Sequence, residues 1–306
     1  MPDRQFTSAD DGLHEPSGSF YENETFWYSF FVPERRLGGW LYTGVRQNAG
    51  VTHGGLWIWD DSGHLPWTTR FYEGFAHLKT PPSGSGDLSF ATGMTIKVRE
   101  PLMSYDLGYD DRDRVKVALR FDAVEEPVAL RHGTPPYPKA SHFDQMGRVT
   151  GEIILDGERV DVDCVAIRDR SWGPRPERGS QRVGYAWGGS ENTSFLTYSA
   201  PTATSDDVHS GYLRREGDIR YIVRGQRSIS RDPETLLPRM ITVQAEDEDG
   251  RQITARGQAL SHLILPGATV MTVCTALSWT VDGQTIVGED QDVWPIKEWR
   301  SLANQG

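Results

Sequence analysis

The sequence predicts an all-β protein built as two tandem antiparallel β-barrels. Three observations carry that reading. Short runs of aromatic and β-branched residues recur along the whole chain, broken by 32 glycines and 18 prolines, the pattern of strands and their turns. Asp156-Gly157, Asp249-Gly250 and Asp282-Gly283 each stand between two such runs, as two-residue hairpin turns of the primed types require, and Glu216-Gly217-Asp218 does so less specifically. Helical periodicity is sparse. A long antiparallel sheet must close or be covered, because open edges invite pairing with other chains. Closure into barrels is the simplest solution.

In chain order, strands are predicted over 26–32, 39–46, 55–60, 68–72, 88–98, 102–109, 115–121, 151–155 and 159–168. The second half adds 182–188, 194–198, 210–214, 220–224, 240–246, 252–258, 262–264, 270–280 and 285–288. The segment 125–144 holds Pro127, Pro135, Pro136 and Pro138 and shows no strand period, so it reads as the connection between two halves. The N-terminal barrel is accordingly placed at 1–140 and the C-terminal barrel at 141–306. The tail from Pro295 to Asn304 reads as a short terminal helix with proline in its first turn.

Composition narrows the function. The chain is 37% hydrophobic and 25% charged over 306 residues, enough to bury a core. Its net charge of −11 lacks the clustered basic residues that phosphate backbones need, so no nucleic-acid partner is expected. No apolar run reaches the roughly 18 residues of a membrane-spanning helix, and the polar start lacks the apolar core of a signal peptide. A cytoplasmic protein without membrane insertion is the expectation. Cys164 and Cys274 lie in apolar strand-like runs and read as buried thiols. The eight histidines are dispersed without metal-site spacing, and no dinucleotide fingerprint, P-loop or nucleophile elbow occurs, since the glycines of Ser83-Gly84-Ser85-Gly86 are wrongly spaced. No metal and no cofactor are expected.

The densest chemistry lies in Val160 to Arg178, where an alternating strand runs into Arg168-Asp169-Arg170-Ser171-Trp172-Gly173-Pro174-Arg175. Strand neighbours point to opposite sides. Arg168 and Arg170 therefore share a face with Val160, Val162, Cys164 and Ala166, and Asp169 shares the other with Val165 and Ile167. Burial among apolar groups would raise the Asp169 pKa and make it a proton donor. The plainer reading is a buried carboxylate that anchors the strand end. Trp172 reads as a packing anchor or as an aromatic wall able to stabilise a developing cation. Arg175 and Arg178 read as solvated loop residues or as clamps for a polar substrate group. His53, beside Gly54-Gly55, and His142 are the candidate proton partners of Asp169. Trp27, Tyr28, Trp40, Tyr42, Trp57, Trp59, Tyr185 and Trp187 form an aromatic set whose inward half would line a cavity for an apolar ligand, or pack the core.

The aromatic early strand Tyr21-Glu-Asn-Glu24-Thr-Phe-Trp27-Tyr28-Ser-Phe-Phe31, the run Ile167-Arg-Asp169-Arg-Ser-Trp172-Gly173 and the late Gly288-Glu289-Asp290…Trp294 together bear a resemblance. In them the chain resembles the diverged double-lipocalin proteins, the broad group that includes carotenoid 1,2-hydratase-like and AttH-like proteins. The second run is similar to the Asp-x-x-Trp-Gly element that opens the second barrel in this group. The resemblance covers nearly the whole chain in architecture, with few specific motif matches. It implies two lipocalin-like barrels, an apolar ligand in a cavity and, less firmly, acid-catalysed chemistry on a carbon–carbon double bond.

The expectation that follows is a cofactor-independent enzyme acting on a hydrophobic small molecule, terpenoid, steroid-like or aromatic. The reaction would be proton-driven hydration or dehydration, isomerisation or cyclisation. Asp169 would act as acid, His53 or His142 as relay, Trp172 as aromatic wall and Arg175 as anchor of a polar end. The alternative is a lipocalin-type binder or carrier without catalysis.

Overall fold

The computed structural model describes residues 6–81, 86–130, 141–175, 181–202 and 205–304. The strands are β1 (Glu22–Val32), β2 (Leu37–Arg46), β3 (Val51–Trp59), β4 (Phe71–Lys79), β5 (Leu88–Ser89), β6 (Thr95–Glu100), β7 (Ser104–Asp110), β8 (Val115–Ala123), β9 (Val128–Ala129), β10 (Ser141–Leu155) and β11 (Glu158–Pro174). They continue as β12 (Val183–Gly189), β13 (Thr193–Pro201), β14 (Asp206–Arg215), β15 (Asp218–Arg231), β16 (Pro238–Asp247), β17 (Gln252–Pro266), β18 (Val270–Val281) and β19 (Gln284–Pro295). The short terminal helix follows as α1 (Ile296–Ala303), with Pro295 at its N-cap. No helix among the described residues is long and apolar enough to cross a membrane.

Three of the four predicted turns have the expected geometry. Both central residues are left-handed at Asp156-Gly157 (φ 51° and 83°), Glu216-Gly217 (50° and 81°) and Asp282-Gly283 (49° and 80°). That geometry matches the twist of the strands they join. Asp249-Gly250 differs. It sits in a longer loop, where the Asp247 carboxylate accepts from the backbone N–H of Asp249 at 3.0 Å and of Arg251 at 2.9 Å.

Contacts divide the chain into two units. The first comprises Met1–Val32, Gly39–Ile58 and Phe71–Pro176; the second comprises Pro33–Gly38, Trp59–Arg70 and Glu177–Gly306. The first unit is one antiparallel sheet in the order β4-β3-β2-β1-β11-β10-β8-β7-β6-β5, with β9 on β10. Side chains join its outer strands: the Tyr109 hydroxyl donates to the Glu73 carboxylate, and the Phe71 and Tyr109 rings lie 6.4 Å apart.

The expected boundary at residue 140 is corrected here. β10 and β11 pair with each other from Ser141 to Trp172 and are flanked by β8 and β1. Their alternating Val149, Ile153, Leu155, Val160 and Val162 are buried, as are Val115, Val117, Leu119 and Phe121 of β8. Burial of that shared apolar face ties both strands to the first sheet. The Asp-x-x-Trp-Gly run therefore ends the first sheet and does not open the second barrel.

The second unit is a closed barrel of eight strands, β12 to β19, sealed by pairing of β12 with β19. Ala186, Phe195, Leu213, Ile241, Val243, Ala255, Leu277, Trp279 and Ile286 pack one end of its interior. At the other end Arg227 makes two bonds to Asp290, at 2.7 and 2.6 Å, and one to Asp206 at 2.7 Å. Arg182 and Arg231 complete the network through Asp292. Cys164 and Cys274 are buried and neither is in a disulfide; the Cys164 sulfur accepts from the Phe31 backbone N–H at 3.3 Å.

Candidate active site

β11 is regular from end to end, so the predicted alternation holds and each face can be read separately. The arginine face is packed. The Arg168 guanidinium lies 4.2 Å from the Tyr105 ring and donates to Gln145 Oε1 at 2.6 Å. Arg170 lies 3.6 Å from the Phe26 ring, pairs with Glu24 at 2.7 Å and donates to the carbonyls of Asp10, Gly12 and Thr25. The short turn at Ser8–Asp11 folds onto this face, where Asp11 accepts from the Tyr105 hydroxyl at 2.5 Å.

Asp169 projects from the other face. Its register partners are Trp27 on β1 and Asp144 on β10, and paired residues on neighbouring strands share a face. One step along, His142 lies opposite Ser171, which lies opposite Thr25, and the two hydroxyls meet at 2.6 Å. Two residues apart on β10, His142 and Asp144 fall on the same face, and His142 Nε2 lies 2.9 Å from Asp144 Oδ2. His142, Asp144 and Asp169 each offer an atom within 4.8 Å of the others. This donor set has the chemistry to take a divalent cation. Its arrangement is one of proton sharing, however, with the imidazole Nε2 turned to the Asp144 carboxylate, and we assign no metal ligand.

His142 and Asp144 are fully buried, whereas Asp169, Tyr42, His53 and Arg175 keep partial contact with solvent. Asp169 Oδ1 is nonetheless shut off from water and accepts no hydrogen bond. Burial of the charged form, reinforced by Asp144, pushes the Asp169 carboxyl up to about 6, against the opposing charges of His142, Arg175 and Arg170. Burial alone would lower His142. The Asp144 charge and hydrogen bond, with Asp169 behind them, raise it above its ordinary value. Burial pushes His53 down to about 4, helped by Arg46 and Arg175. Burial also raises the Tyr42 phenol, although Arg175 is close enough to bond with it.

Aromatic rings extend the same face across the sheet. Trp27 and Trp40 centroids are 5.0 Å apart, Trp40 and Trp57 6.2 Å, and Trp57 and Tyr72 6.0 Å. The structure thus brings together Asp169, His142 and Arg175, with Tyr42 coupled to Asp169 and Arg175. Trp57 lies on β3, with β1 and β2 between that strand and β11, and joins this face only through the rings of Trp40 and Trp27. His53, on the same strand β3, reaches back toward β1: its ring lies 5.9 Å from that of Tyr42, it feels the Arg175 charge, and its Nε2 meets Asn23 Oδ1 at 3.1 Å.

Trp172, expected as a wall beside Asp169, is corrected. Three residues on, it faces the arginine side, stacked on His14 at 4.2 Å. Trp59 is buried and falls in the second unit with Tyr185 and Trp187. Those last two lie on the face of β12 opposite Ala186, which packs inside the barrel. Arg178 lies outside the described residues. The group that sequence reading missed is Asp144; Trp27, Trp40 and Tyr42 enter it only as members of the aromatic strand set, without a link to Asp169. Asp144 had a usable signal, because His142-x-Asp144 puts both side chains on one face of any strand.

Two packed β units and a carboxylate–imidazole cluster at a strand end define a tandem-barrel protein of the double-lipocalin kind, as the sequence resemblance implied. The chain belongs to the family described as domain of unknown function DUF7064, whose family model matches residues 7–290. Comparison with the curated proteins gives no match. Among solved structures the chain is similar to an AttH-like protein from Nitrosomonas europaea, at 14% identity and a TM-score of 0.62 over 96% of this chain and 98% of that one. It is similar to CghA at 10% identity and a TM-score of 0.61, over 93% and 94%. It is also similar to kievitone hydratase from Nectria haematococca at 13% identity and a TM-score of 0.55, over 95% of each chain. At these identities the likeness is one of fold.

Proposed function

We propose that this protein is a cofactor-independent enzyme that protonates a carbon–carbon double bond of an apolar small molecule, terpenoid, steroid-like or aromatic. The resulting cation then proceeds to hydration, dehydration, isomerisation or cyclisation. The observation that carries this reading is the Asp169 carboxyl, desolvated at Oδ1, raised to about 6 and seated beside His142. A carboxylic acid that holds its proton near working pH is suited to general acid catalysis. Trp27, its cross-strand neighbour, offers a π face to the developing cation, and Trp40 and Trp57 continue an apolar surface for the rest of the substrate. Arg175 and Tyr42 suit a polar end.

In hydration, the Asp169 O–H bond breaks as the π electrons form the new C–H bond. Water adds to the cation, and the proton that water sheds returns to the Asp169 carboxylate, directly or through His142. That one of the structures with this fold is named a hydratase is consistent with such chemistry. Two buried thiols outside any disulfide suit a cytoplasmic setting. The carrier alternative has less support. The interior of the closed barrel holds an apolar core cluster and an Arg–Asp network, and Arg168 and Arg170 pack the arginine face of the first sheet.

The test is a panel of terpenoid and aryl alkenes incubated with the protein in isotopically labelled water. Mass spectrometry should find solvent hydrogen at carbon, and Asp169→Asn should abolish it. Ligands recovered unaltered from saturable complexes would favour the carrier.

A further inference from the structure

The site holds one buried acidic group that the proposed reaction leaves unused. Asp144 stands directly across the β10–β11 ladder from Asp169 and is 1% exposed. Like charges directly opposite on paired strands repel, and a buried carboxylate needs a partner to be tolerated at all. His142 Nε2, 2.9 Å from Asp144 Oδ2, is that partner. Among the described residues, charged and titratable groups bear on the cluster from three strands, with His53 on β3 and Arg46 on β2 coupled to it through Arg175 and Tyr42. β10 brings His142 and Asp144, β11 brings Asp169, and Arg175 follows β11. Arg170 acts from the opposite face, and Tyr42 on β2 is coupled to Asp169 and Arg175. Among these groups the negative charges are Asp144 and Asp169. Removing a proton from Asp169 therefore places two carboxylates side by side.

We propose that Asp144 is the positioning residue of this site: it fixes His142 through Nε2 and, by its charge across the strand pair, keeps the site's proton on Asp169. This rests on the reading of Asp169 as the acid. It adds a reason for the site to reset. When Asp169 has given its proton to carbon, the new carboxylate faces Asp144. The proton shed by attacking water, or by a neighbouring carbon in isomerisation, is drawn back to re-form the Asp169 O–H bond. Asp144 itself touches no reacting atom.

The experiment reads protonation without substrate. The carboxylic C=O stretch of Asp169, assigned by its loss in Asp169→Asn, is followed by infrared difference spectroscopy against pH. The His142 imidazole, assigned by His142→Gln, is followed by ¹⁵N NMR. In the unaltered protein the Asp169 band should titrate near 6. Asp144→Asn should bring His142 below its ordinary value of about 6.5, with Asp144→Glu restoring it in part. In the His142→Gln background, where no imidazolium responds to the change, Asp144→Asn should move the Asp169 band down. His142→Gln, which keeps Asp144 but removes the imidazolium, should move the Asp169 band the other way, upward. A purely structural Asp144 would produce no such opposed shifts. An unmoved His142 midpoint in Asp144→Asn, an Asp169 band that Asp144→Asn leaves unmoved in the His142→Gln background, or a downward shift in His142→Gln, would overturn the proposal. Should Asp144→Asn fail to fold, Asp144→Glu, which displaces the carboxylate from His142 Nε2, reads the same His142 midpoint, and an unmoved midpoint there overturns the proposal. Unmoved midpoints alongside Asp169-dependent turnover would remove the role of Asp144 and leave the reaction standing; shifted midpoints without turnover would do the reverse.

Discussion

Asp169 occupies a place that a structural carboxylate would not need. Arg168 and Arg170, one residue to either side, are bonded to acids, carbonyls and rings, whereas Asp169 Oδ1 is buried and unbonded. Its folded carboxyl sits above the ordinary value, so the native chain binds this proton more tightly than the unfolded chain does. The stability contributed is full below about pH 4 and is lost as pH rises through about 6. Asp169→Asn has no charge to bury. It should therefore be more stable than the unaltered protein at pH 7, on the order of 2 kcal/mol after allowing for partial exposure, with the gap closing below about pH 4. Paired thermal melts across that range check the sign; a variant less stable at pH 7 would mark Asp169 as an anchor of the strand end.

At the scale of the strand, β11 separates two jobs by parity alone. Its even positions, from Val160 to Arg170, are the packed side of the first sheet, and Asp169 faces the chemistry. The Arg170–Glu24 pair belongs to the packed side, and removing one partner leaves the other charge buried. Arg170→Met should cost about 3–5 kcal/mol in denaturant unfolding while Arg148→Met, whose pair with Asp163 is exposed, should cost under about 1 kcal/mol. This division was legible in the sequence, because a regular strand alternates and no bulge intervenes. The start of β10 was not legible. Ser141 to Gly147 is buried on both faces, nearly without a break, so no polar–apolar period marks it as a strand. The prolines just before it read as the end of a connection. His142 was therefore named without its strand, and Asp144 was passed over.

At the scale of the molecule, the hairpins written as Asp-Gly and Glu-Gly built the meanders, and the all-β, double-barrel architecture followed from them. Where the first unit ends could not be read from turns, because β1 returns to pair with β11 across nearly the whole length of that unit. Pairing over so long a loop leaves no local signal. A fragment ending at residue 140, the boundary expected from composition, lacks both central strands of its sheet, β10 and β11. It should give no cooperative unfolding transition by circular dichroism; a cooperative transition in that fragment would refute the sheet order.

The central claim is that Asp169 supplies the proton. Deuterium incorporation at carbon, measured by mass spectrometry on the alkene panel in D₂O, tests it most directly. The unaltered protein should place one solvent deuteron on carbon, and Asp169→Asn, folded and melting no lower, should lose that activity by about 10²- to 10⁴-fold. Incorporation at an unchanged rate in folded Asp169→Asn would contradict the account.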